Sequence, residues 1–168
     1  MTDATSERSP RLLAAGDSGP ARPVVLATLS VPFDPAGARM AIETALESGA
    51  RLVLVNVRGM PVAPMTTMIC GADGVLLPHE EARDEVRATA QQAADLGVQT
   101  LLLRIGTRRP IRALLDVAAE QSAGLLVFAP DREAMRIRRF RRVARAVRKG
   151  ASCLVWVTLD DPVGGPAA

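Results

Sequence analysis

A chain of 168 residues with 48% apolar side chains is sized for one domain around one sizeable core. It holds three Phe, one Trp and no Tyr, so Ala, Val and Leu must fill the interior, and stacking of bases on an aromatic platform is not expected. The net charge of +3 is unevenly spread: residues 132–149 carry nine basic groups and one acid, or +8, and the rest carries twelve basic groups against seventeen acids, or −5.

Such a split can guide anionic partners to one face, or it can be a helix solvating its outer side with arginine; the sequence leaves both readings open. Cys70 and Cys153 stand far apart, with no Cys-x-x-Cys and only His79 as a histidine, so neither a metal site nor a disulfide framework is expected. The first twenty residues lack an apolar signal core, and no apolar run approaches membrane-spanning length. The expected setting is the cytoplasm, with no membrane partner.

Residues 1–22, rich in Ser, Ala, Gly, Pro and charge, read as a disordered tail, as do residues 160–168. Residues 23–159 between them read as a single α/β domain. Pro23 to Leu29 is a short apolar run suited to a strand buried on both faces. Asp34-Pro35 opens a helix, with Asp as cap and Pro in the first turn; Met40, Ile42, Ala45 and Leu46 supply its inner face, and Gly49 ends it. Arg51 to Val57 is the second buried strand. The connection from Arg58 to Leu77 carries Met60, Met65 and Met68 and could line a pocket or pack onto the sheet edge.

Pro78 to Leu96 is the second helix, with Ala82, Val86, Ala90, Ala93 and Leu96 recurring at the spacing of an inward face, and Gly97 ends it. Thr100 to Ile105 is the third strand. Pro110 starts the third helix, whose inner face is Ile111, Leu114, Leu115, Ala118 and Ala119. Gly124 to Phe128 is the fourth strand, and Arg132 to Lys149 the basic fourth helix, with Ile137, Phe140, Val143 and Val147 as its buried seam. Cys153 to Val157 is the fifth strand. Strands alternating with helices imply right-handed crossovers and a doubly wound parallel sheet of five strands, with helices on both faces.

No catalytic constellation emerges. Asp34, Asp73 and Glu80-Glu81 lack the spacing of paired-carboxylate or metal chemistry, and no nucleophile elbow, P-loop or dinucleotide fingerprint appears. The chain is not expected to be an enzyme.

Ile105-Gly106 leading to Pro110-Ile111, then Gly124-Leu125-Leu126-Val127-Phe128, and the ending Ala151-Ser152-Cys153-Leu154-Val155-Trp156-Val157 resemble the carboxyl half of universal stress proteins. The amino half fits in order and length, so the likeness covers about residues 23 to 158. The resemblance implies the strand order 3-2-1-4-5, with ligands between strands 1 and 4, where open parallel sheets generally bind them. It also implies a homodimer built on the fifth strand, through Leu154, Val155, Trp156 and Val157. Trp156 is a core residue or an interface anchor, and both stay open.

The departures concern the nucleotide. Members that bind one carry an acid at the end of the first strand, a place occupied here by Leu29 between Thr28 and Ser30. They also carry Gly-x-x-Gly and, further on, Gly-Ser or Gly-Thr. Counted forward from the fourth strand, those glycines fall on Ala129, Arg132 and Arg142; counted back from Cys153, the last pair falls on Arg141-Arg142. Glycines let backbone N–H groups turn toward phosphate oxygens, and Pro130 has no N–H at all. The expectation is a degenerate member with no cofactor, acting through a homodimer and a protein partner. The alternative is a nucleotide or other anion held by the guanidinium groups of Arg132, Arg141 and Arg142 at the switch point beside Thr28, Ser30 and Ala129. Nucleic acid is the less expected partner.

Overall fold

All six side chains of β1, Val24–Leu29, are buried, as a strand covered on both faces requires. The computed structural model describes residues 21–59 and 81–158. After β1 come α1 (Pro35–Ser48), β2 (Leu52–Gly59), α2 (Glu81–Asp95), β3 (Thr100–Thr107), α3 (Pro110–Glu120), β4 (Leu125–Phe128), α4 (Ile137–Gly150) and β5 (Leu154–Val157). The strands form one parallel sheet in the order β3-β2-β1-β4-β5, which is the expected doubly wound arrangement. The methionine-bearing connection and Cys70 lie outside the described residues.

Alternation along the strands divides the core. Val25, Ala27, Val53, Val55, Leu126 and Phe128 pack against Leu114 of α3 and Phe140, Val143 and Val147 of α4. On the opposite face Leu26, Leu52, Leu54 and Val127 meet Ala41, Ile42 and Ala45 of α1 and Val86 and Ala93 of α2. Leu46, Leu96, Ala119 and Ile137, expected to face inward, are exposed. Leu46 and Ala119 stand one position, about 100° around the helix, past the buried Ala45 and Ala118, whereas Leu96 follows the last residue of α2 and Ile137 is the first of α4.

Local signals set the ends of α1. The Asp34 carboxylate accepts the Gly37 N–H at 2.8 Å, Pro35 follows, and Gly49 takes φ +65° to close the helix. Asp34→Ala is expected to lower unfolding stability by about 1 kcal/mol, read as a fall in urea midpoint with an unchanged slope.

The fourth helix begins at Ile137, five residues later than its composition suggests. Asp131 is the physical reason. Its side chain accepts the Glu133 N–H at 2.9 Å, and its carbonyl accepts the Met135 N–H at 3.0 Å. This makes one self-contained turn that drops Met135 into the core before the helix starts. Arg132 and Arg136 therefore belong to the β4–α4 connection.

Candidate functional site

The strand order reverses between β1 and β4, so their carboxyl ends bound the crevice where an open sheet takes ligands. Two connections meet there, residues 30–34 after β1 and 129–136 after β4. They are joined to each other. Phe33 and Pro130 form an antiparallel bridge, the Asp34 N–H donates to the Ala129 carbonyl at 3.0 Å, and the Asp131 N–H donates to the Pro32 carbonyl at 2.9 Å. Phe33 and Pro130 are buried in consequence.

Thr28, fully buried, donates its hydroxyl to the Val31 carbonyl at 3.0 Å and the Pro32 carbonyl at 3.3 Å, folding the β1 connection back on itself. Ser30 sits at φ +61°, an uncommon conformation for a residue with a side chain. Its hydroxyl donates to the Val57 carbonyl at 3.4 Å and accepts the Gly59 N–H at 3.3 Å, so it ties the end of β1 to the end of β2. Both hydroxyls thus serve the local fold. Leu29, in the place of the family's acid, is buried in the core.

Ala129 is fully buried against α1. A Cβ built on Gly37 would stand 2.3 Å from the Ala129 Cβ, so only glycine lets the first turn of α1 approach this closely. Sequence reasoning missed Phe33 and Gly37, and it did not show that Pro130 and Asp131 pair with the β1 connection. Gly37 in the first turn of a helix, where it lowers propensity, was the available signal of a close approach.

Phosphate oxygens bound in a backbone nest need free N–H groups. The amide of Ala129 is bonded to Ala27, that of Asp131 to Pro32, that of Glu133 to the Asp131 side chain and that of Met135 to the Asp131 carbonyl. Pro130 has none. Four of the six amides between Ala129 and Met135 are thus engaged within the fold. Asn56, near the end of β2 and level with Thr28, is buried, and its Oδ1 has no hydrogen-bond partner among the described residues.

The arginines do not converge. Arg132 lines a shallow hollow with Glu133, Met135, Ile137 and Phe140, whereas Arg141 and Arg142 line another with Arg138, Arg145, Ala146 and Lys149. At the fifth strand, Leu154 is 75% exposed, Val155 and Trp156 are half-buried and Val157 lies in the chain's own core. Trp156 packs toward α1, within 3.4 Å of where a Gly37 Cβ would stand. Among the described residues, β5 pairs only with β4, and its outer edge takes no strand. Burial pushes the Cys153 thiol above its ordinary pKa, against a smaller lowering by a backbone hydrogen bond, so it stays protonated and a poor nucleophile near neutral pH. The described residues hold no cluster of metal ligands, and no helix among them is long and apolar enough to cross a membrane.

The geometry defines an open doubly wound α/β domain with a switch-point crevice, the architecture shared by many nucleotide-binding proteins. Within that class the chain belongs to the universal stress protein family, whose model matches residues 20–158. Several solved structures are similar. A universal stress protein in complex with cAMP is 21% identical over 83% of this chain and 98% of its own, with a TM-score of 0.52. One from Archaeoglobus fulgidus in complex with dAMP is 21% identical over 80% and 95%, with a TM-score of 0.55. A family protein from Arabidopsis thaliana with AMP bound is 15% identical over 86% and 96%, with a TM-score of 0.51. No curated protein matches in sequence. At these identities the solved structures establish the shared fold.

Proposed function

We propose that this universal stress domain is a cytoplasmic binding protein and not an enzyme, that it acts through a homodimer paired on β5 and through a protein partner, and that it does not hold ATP in the family's manner. The observation that carries the reading is the bridged switch point. With Phe33 paired to Pro130 and the amides of Ala129, Asp131, Glu133 and Met135 bonded internally, a phosphate seated between the two connections would have to break both backbone bonds that join them. Each buried group left unsatisfied would then cost about 1–3 kcal/mol. The unpaired edge of β5 supplies the complementary support, since a bare apolar edge invites another strand.

A second reading has one observation in its favour: the similar proteins named above are complexes with cAMP, dAMP and AMP. In it Arg132, Arg141 and Arg142 hold a nucleotide or other anion through side chains. One titration separates the two. Equilibrium binding of labelled ATP at low and physiological salt is expected to show no saturable binding at physiological salt. Micromolar binding that persists there, and is lost in Arg141→Ala/Arg142→Ala, would replace the first reading by the second.

A further inference from the structure

The outer face of α4 is not absorbed by the crevice. Phe140, Val143, Ala144 and Val147 bury one side of the helix. Arg138, Arg141, Arg142, Arg145 and Lys149 recur at three- and four-residue steps and fall within an arc of about 100° on the opposite side. They line a shallow hollow of ≈ 480 Å³. Arg139 and Arg148 flank the stripe. Among the described residues Arg138, Arg142, Arg145 and Lys149 pair with no acid. On the adjoining α3, Asp116 is already engaged with Arg112 at 3.7 Å.

We propose that this face docks double-helical nucleic acid by its phosphates, without reading base sequence. Four features select that occupant. From Arg138 to Lys149 the helix rises about 16 Å and carries seven positive charges, one per roughly 2.4 Å, against one negative charge per about 1.7 Å of duplex axis. The cations are nearly all arginine, whose planar fork pairs with phosphate oxygens. Single strands are disfavoured because base stacking is absent: Phe33, Phe128 and Phe140 are buried and Trp156 lies away in β5. A membrane surface is disfavoured because the apolar seam that would insert into it is packed on the sheet.

The surface is distinct from the bridged crevice, so its test does not depend on the function proposed above. Full-length protein is titrated into a fluorescently labelled mixed-sequence DNA duplex and followed by anisotropy as KCl rises. Five phosphate contacts predict a log–log salt slope of about −4.5, a loss of roughly 500-fold in affinity between about 50 and 200 mM salt. Arg138→Gln/Arg142→Gln/Arg145→Gln removes three contacts and is expected to flatten the slope to about −2. If that variant fails to fold by circular dichroism, Arg145→Gln/Lys149→Gln replaces it, with an expected slope near −2.7. A single strand of equal length is expected to bind more weakly. No duplex binding at low salt, an unchanged slope in the folded variant, equal binding of single strand, or tighter binding to phosphatidylserine vesicles than to duplex would each overturn the proposal.

Discussion

Leu154→Lys is expected to convert the proposed β5 dimer to a monomer while leaving the fold intact. Leu154 starts the edge strand and is three-quarters exposed, so its removal takes little from the core. Exposed substitutions of this kind change stability by about 0.5 kcal/mol or less. Pairing on β5 changes that sum. Two copies of the strand would meet, each bringing its own Leu154, and lysine is the residue that natural edge strands use to repel a second strand. At about 1.4 kcal/mol per copy, association weakens about 100-fold. Sedimentation equilibrium of parent and variant reads the change, and Trp156, the chain's one tryptophan, gives a second signal. It lies half-buried two residues along the same strand, so dissociation should move its emission to the red. A parent that is monomeric throughout, or a variant that stays dimeric, sinks the fifth strand as the dimer contact.

The sheet was legible in the sequence because its strands are short apolar runs separated by strong stop signals. Asp34-Pro35, Gly49, Gly97 and Pro110 each mark a boundary that the structure places within a residue or two. The start of α4 was not legible from composition. Helix propensity treats Arg132 to Arg136 as continuous with Ile137 to Gly150, and it does not register that Asp131 can close a turn on its own carboxylate. The loss of the phosphate-binding glycines was equally plain in the sequence. What replaced them was hidden, because the bridge between Phe33 and Pro130 is a pairing of two connections almost a hundred residues apart. No periodicity within either segment encodes that contact. Gly37 carries its only local trace, as a small residue demanded by the nearness of Ala129.

Phe128→Ala is expected to cost about 3–5 kcal/mol, the usual range for emptying a buried phenylalanine site. Phe128 is fully buried at the end of β4, and its ring stacks on Phe140 of α4 with centroids 6.2 Å apart and planes 20° from parallel. An aromatic pair of this kind adds about 0.5–1.5 kcal/mol beyond the area it buries. A domain of this size has about 5–15 kcal/mol in all, so the substitution removes about a fifth of it or more. The position also joins the crevice to the basic face. Its carbonyl accepts both the N–H and the hydroxyl of Thr158 at 3.3 Å, the carbonyl of the next residue accepts the Asp34 N–H, and its ring is one of the sheet's contacts with the basic helix. The cavity would therefore open beneath the crevice and beneath the arginine stripe together. Phe128→Leu, which keeps most of the volume but loses the stack, should cost clearly less, about 1–1.5 kcal/mol. Urea unfolding of the three proteins orders them. A loss below about 1 kcal/mol for the alanine variant would mean that α4 collapses onto the sheet without the stack, and that the helix is held by Val143 and Val147 instead.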